Sequence, residues 1–213
     1  MSSKYTEPDW THAALIIIDM QNDFSLPGSP FEIKGTDKVI PEIAEMLKVC
    51  RQNNVPIVHV IRIYKEDGSN ADNPRRELIE KGAAIAKPDS EGAGIVRELL
   101  LHEIKINFDD LLEGKIQNIG DNEFVIFKPR WGAFYKTRLE VFLKERGINT
   151  VVVAGCNFPN CPRTTIYEAS ERDFRIAAVE NAISGVYERG LLELRNIGAS
   201  VINAETFIDK INT

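Results

Sequence analysis

Hydrophobic positions along the chain fall into two alternating rhythms. Short apolar runs rich in β-branched residues cover 13–19, 57–61, 124–127, 150–154, 176–179 and 200–202, most of them without polar interruption. Strands covered on both faces read this way, because neither side of the pleat meets water. Between the first two runs, Val39, Ile40, Ile43, Met46, Leu47 and Cys50 recur every three or four residues. That spacing predicts a helix lying on a sheet, with Asp37 as its N-cap and Asn53-Asn54 as its stop. Leu139, Val141, Phe142 and Leu143 predict a second helix ended by Gly147, and Leu191, Leu192, Leu194 and Ile197 a third ended by Gly198. Strands alternating with helices predict an α/β fold with a mainly parallel sheet.

The stretch from 64 to 121 breaks the rhythm. It mixes the polar run Lys65-Glu66-Asp67-Gly68-Ser69-Asn70 with short apolar pieces at 95–101 and 111–112. Long irregular segments in compact domains are usually lids or binding elements. The expectation is therefore one domain over 1–213, with a long loop or insertion at about 64–121.

Composition changes this picture mainly by exclusion. The chain has 213 residues, 43% hydrophobic and 27% charged, enough to bury a sizeable core. Its longest apolar run, 13–18, is far short of the ~20 residues of a membrane helix, and its first residues do not read as a secretory signal. Lys and Arg number 26 against 32 Asp and Glu, a net charge of −6 and the wrong sign for a nucleic-acid binder. The expected partner is a small molecule, not nucleic acid or a membrane. Cys50, Cys156 and Cys161 leave one thiol unpaired in any internal disulfide scheme, which predicts a reducing, cytoplasmic setting. These cysteines and the scattered His12, His59 and His102 offer no metal-ligand spacing, and neither metal nor cofactor is expected.

Three features stand at the carboxyl ends of predicted strands, where open α/β sheets build their ligand sites. Asp19 ends the first run, where it can also be read as a simple turn residue. Lys128 follows the third run and precedes Pro129-Arg130-Trp131-Gly132-Ala133-Phe134. The third feature is the segment from Gly155 through Cys161-Pro162, where Pro162 suits the first position of a helix and places Cys161 at the N-cap. A thiol there meets free N–H groups and the positive end of the helix dipole, which predicts a lowered pKa. A base, a cation and a thiol are the parts of nucleophilic attack on a carbonyl, and no histidine near a strand end competes as the base.

Taken together, these blocks resemble the isochorismatase-like cysteine hydrolases, the superfamily of nicotinamidases, N-carbamoylsarcosine amidohydrolases and ureidoacrylate amidohydrolases. The resemblance runs from about Ala13 to Phe207. It rests on Leu15-Ile16-Ile17-Ile18-Asp19-Met20-Gln21-Asn22-Asp23-Phe24, on Lys128 with Phe134 and Thr137, and on Gly155 six residues before Cys161 with Thr165 four after it.

The resemblance implies a three-layer αβα sandwich around a six-stranded sheet of order 3-2-1-4-5-6, and a catalytic triad of Asp19, Lys128 and Cys161. It implies a non-proline cis peptide at Cys156–Asn157, which would aim the Asn157 and Cys161 N–H groups at an oxyanion, and a homo-oligomer. The implied reaction is hydrolysis of a C–N bond in a small carboxamide or ureido compound through a thioacyl-enzyme. The alternatives are isochorismatase-type hydrolysis of an enol ether and a catalytically silent relative. The Asp-x-His metal pair of nicotinamidases is missing at His59-Val60-Ile61-Arg62-Ile63-Tyr64. Arg62, Arg75, Arg76 and Arg130 are weighed as ligands for an anionic substrate, and Arg62, Phe24, Trp131 and Tyr135 are the expected substrate-binding residues.

Overall fold

Each of the six apolar runs is a strand in the computed structural model, which describes residues 3–213. Seven strands occur among the described residues: β1 (Ala13–Ile18), β2 (Ile57–Ile61), β3 (Gln117–Gly120), β4 (Glu123–Phe127), β5 (Thr150–Gly155), β6 (Arg175–Ile183) and β7 (Ser200–Ile202). The helices are α1 (Asn22–Ser25), α2 (Ile40–Gln52), α3 (Asn73–Glu80), α4 (Phe108–Leu112), α5 (Leu139–Glu145), α6 (Cys161–Ser170), α7 (Glu188–Asn196) and α8 (Ala204–Ile211).

The sheet order is β3-β4-β2-β1-β5-β6-β7, parallel except for the β3–β4 pair. The six expected strands keep their expected order. The expected strand count is corrected to seven, because β3 adds an antiparallel edge. Its sequence, Gln117-Asn118-Ile119-Gly120, is polar because an edge strand is not covered on both faces.

β1 is buried along its whole length and alternates between two apolar layers. Leu15 and Ile17 pack in the layer holding Ile43, Met46 and Leu47 of α2 and Phe207 of α8. Ala14, Ile16 and Ile18 pack in the layer holding Leu139 and Phe142 of α5, Ile166 and Ala169 of α6, and Leu194 of α7. Helices thus cover both faces of the sheet, and each fully buried aliphatic side chain contributes about 1.5–3 kcal/mol. The segment 64–121 belongs to this packing. Its Ile79, Ile85, Ile95, Val96, Leu99 and Leu111 are buried in the same layer as Leu15, and Ile95 forms an isolated bridge with Gln21 just after β1.

The chain reverses direction across the sheet at β1, which pairs with β2 on one side and β5 on the other. A crevice between carboxyl ends opens at such a switch point. No helix among the described residues is long and apolar enough to cross a membrane.

Candidate active site

β1, β4 and the loop after β5 deliver the three expected groups to this crevice. Asp19 leaves β1 with φ +51°, a left-handed turn, while its N–H still donates to Val60 O at 2.9 Å. Gln21 fixes the turn from behind: its side chain accepts from Arg62 N at 2.7 Å and donates to Arg62 O and Ala93 O at 2.9 Å. Lys128 continues β4, its N–H bonded to Ile61 O at 3.0 Å. The lysine side chain crosses the end of β2 to reach β1, and its ammonium donates to Asp19 Oδ2 at 2.8 Å and to Arg130 O at 3.3 Å. Lys128 is completely buried and Asp19 nearly so. Charged groups this deep persist only when paired.

Gly155 brings the loop that leads to Cys161 against β1. Its φ is +115°, and a β-carbon there would lie 2.2 Å from Ile18 O and 2.6 Å from Ile18 N. Only glycine lets the two backbones approach while Cys156 N–H donates to Ile18 O at 2.8 Å. The chain then turns through Asn157 to Asn160, and α6 starts at Cys161 with Pro162 second. Cys161 is therefore the first helical residue, one position inside the expected cap. No peptide bond among the described residues is cis, so the expected cis bond at Cys156–Asn157 is corrected to trans. Among the described residues, neither the Asn157 nor the Cys161 N–H donates to a protein acceptor.

The thiol sits beside the carboxylate. Asp19 Oδ1 is buried with no hydrogen-bond partner of its own, and the Cys161 thiol interacts with this side chain. Burial, followed by the negative charge of Asp19, pushes the thiol up to about 12, against the opposing pull of Lys128 and Arg62. The expected lowering by the helix N-terminus is therefore reversed. A single helix end contributes at most ~2 kcal/mol, too little to outweigh burial beside an anion. The resting site is a protonated thiol beside the Asp19 side chain.

α6 also carries the clamp on the loop after Lys128. Thr165 Oγ1 accepts from Ala133 N at 3.1 Å and donates to Cys161 O at 2.8 Å, and Glu168 accepts from Phe134 N at 2.9 Å. The lysine loop and the cysteine helix are thus held as one unit. Trp131, just before the clamped residues, lines the crevice, whereas Tyr135, just after them, does not.

The crevice is a cleft with free volume of about 60 Å³, lined by Asp19, Phe24, Arg62, Trp131, Asn157 and Cys161, with Ile33, Tyr64, Arg75, Cys156 and Asn160 completing it. Three of the four expected substrate-binding residues are in this wall. Tyr135 is not: it is exposed, with the Lys136 ammonium 5.5 Å from its ring centre. Arg62 reaches the cleft but is buried and engaged. Its guanidinium pairs with Asp72 and donates to Tyr64 Oη at 2.6 Å and to Lys128 O at 3.4 Å, while Tyr64 donates to Asp72 at 2.8 Å. Burial disfavours the Asp72 anion, yet Arg62 and Tyr64 hold its carboxyl below the usual range. Sequence reading missed Tyr64 and Asp72, which both lie inside the uncertain 64–121 stretch.

The sequence profile of the isochorismatase domain matches residues 13–109 and 112–206. The chain belongs to the isochorismatase-like hydrolase family. It is similar to a probable inactive nicotinamidase of Arabidopsis thaliana, 28% identical over 89% of this chain and 91% of that protein. It is also similar to N-carbamoylsarcosine amidase of an Arthrobacter species, 27% identical over 93% of this chain and 71% of that enzyme. Among solved structures, an isochorismatase family protein of Desulfovibrio vulgaris superposes with a TM-score of 0.80 at 31% identity, covering 95% of this chain and 99% of that one. In this isochorismatase-like fold the three cysteines are all free thiols, and Cys161 alone among them is partly open to solvent.

Proposed function

We propose that the protein is a cysteine hydrolase that cleaves the C–N bond of a small, anionic carboxamide or ureido compound, with Asp19, Lys128 and Cys161 as its catalytic residues. The observation that carries this reading is the Lys128–Asp19 ion pair of 2.8 Å, buried beside the Cys161 thiol at the floor of a cleft.

In the proposed reaction the Cys161 sulfur bonds to the carbonyl carbon while its proton passes to Asp19. The Asn157 and Cys161 N–H groups receive the oxyanion, since donors fixed in advance need no reorganisation as charge develops. Asp19 returns the proton to the leaving nitrogen, the C–N bond breaks, and the amine departs. Water, deprotonated by Asp19, attacks the thioester and releases the acid and the thiol. Lys128 keeps Asp19 oriented and balanced in charge throughout. A thiol held above the ordinary range suits this order of events, because ionisation is coupled to attack instead of preceding it.

The small cleft supports a compact substrate, and the free thiols suit a reducing, cytoplasmic setting. We also propose a homo-oligomer, with neither metal nor cofactor in the reaction. The kinship with a protein named as an inactive nicotinamidase favours a silent relative as the second reading.

A panel of small carboxamides and ureido acids, assayed for ammonia release, tests the proposal. Cys161→Ala and Asp19→Asn are each expected to lower turnover about 10³-fold or more. Turnover that survives Cys161→Ala but not Asp19→Asn would replace the amidase with an enol-ether-type hydrolase. A panel with no turnover, and with no acyl adduct on Cys161, would favour the silent relative.

A further inference from the structure

We infer that Arg75 is the specificity-determining residue of the cleft, anchoring a carboxylate on the substrate in the cleft that holds the Cys161 thiol. This inference rests on the hydrolase reading and gives its substrate a definite second group.

Most positive charges near the cleft are already neutralised or engaged. Lys128 is matched by Asp19 and Arg62 by Asp72. Arg130 is exposed and donates to the Asn70 and Pro129 carbonyls. On α3 itself, Arg76 pairs with Glu80 and Lys81 with Glu77, so the acids of that helix are committed to other cations. Arg75 is different. It is half-buried, its side chain lines the cleft, and among the described residues it forms no ion pair.

The ionised groups lining the cleft, with Asp72 and Lys128 behind them, therefore sum to one positive charge, located on Arg75, in a chain whose net charge is −6. A planar guanidinium in this setting accommodates a carboxylate in two parallel hydrogen bonds. Asn157 and Cys161 line the same cleft. A substrate with an amide or ureido carbonyl at one end and a carboxylate at the other would use both features. Arg62, buried and held by Asp72 and Tyr64, serves instead to position the Asp19 end of the cleft.

The test does not require a known substrate. Cys161 of the full-length protein is alkylated at pH 8 with iodoacetate and, separately, with iodoacetamide, and adduct formation on the Cys161 peptide is followed by mass spectrometry. The two reagents differ in carrying a carboxylate or a neutral amide, so the ratio of their rates reads anion recognition at the thiol. Arg75→Gln is expected to lower the iodoacetate-to-iodoacetamide ratio by about fivefold or more, and Arg75→Lys to restore part of it. An unchanged or increased ratio in Arg75→Gln would overturn the assignment. The ratio is independent of turnover, so failure of the hydrolase reading would appear as an inactive substrate panel with the Arg75-dependent ratio intact.

Discussion

Replacing Lys128 by methionine keeps most of the side-chain length and removes the charge that answers Asp19. Both partners are buried, with Lys128 fully enclosed and the Asp19 side chain 6% exposed. Removing one member of such a pair leaves the other as an uncompensated buried charge, at a cost of about 3–5 kcal/mol. For a chain of this length each kcal/mol corresponds to about 2–4 °C in Tm, so Lys128→Met is expected to melt about 6–20 °C below the parent. Asp19→Asn strands Lys128 in the same way. The double variant removes both charges, and its loss should fall short of the sum of the single losses by about 2–3 kcal/mol. Urea and thermal unfolding at pH 7, followed by circular dichroism, measure all four proteins. A Lys128→Met loss below about 1 kcal/mol, or losses that simply add, would refute the picture of a mutually dependent buried pair.

Other consequences concern the glycine at the switch point and two ionisations. Gly155→Ala drives a β-carbon into the Ile18 backbone at a positive φ, and should either abolish soluble expression or lower Tm by more than about 10 °C. The Cys161 thiol is raised to about 12 in the folded protein, so the folded state holds a proton that the unfolded state loses near pH 9. Stability therefore falls as pH rises above about 9, and Cys161→Ser should remove about 1 kcal/mol of the loss seen between pH 8 and pH 10 in urea titrations. Burial would raise Glu123, but hydrogen bonds from His59 and Arg51 hold it at about 2. Its contribution is present above about pH 4.5 and lost as pH falls toward 2, so Glu123→Gln should flatten the acid limb by about 3 kcal/mol.

The sheet was legible because central parallel strands must be apolar on both sides: β1 has no polar residue and β5 only Thr150 at its start. β3 was not legible, since an edge strand of Gln117, Asn118, Ile119 and Gly120 carries no such constraint. Nor were α3 and α4 within 64–121, where a helix needs to bury only Ile79 or Phe108 and Leu111 on an otherwise polar surface. Asp19, Lys128 and Cys161 were each visible as chemistry at a strand end. Their union depends on a lysine spanning the end of β2, which no local pattern encodes. The protonation of Cys161 was misjudged for the same reason: helix position is local, whereas the burial and the Asp19 charge that outweigh it come from 142 residues away in the chain. The Arg62, Tyr64 and Asp72 cluster likewise joins two segments that read in sequence as a strand end and a polar loop.

The most direct measurement is intact-protein and peptide mass spectrometry of the enzyme quenched in acid during turnover of an active carboxamide or ureido acid. An added mass equal to the acyl part of the substrate is expected, localised to Cys161 and absent in Cys161→Ala. Active turnover with no adduct on Cys161, and undiminished in Cys161→Ala, would rule out Cys161 as the nucleophile.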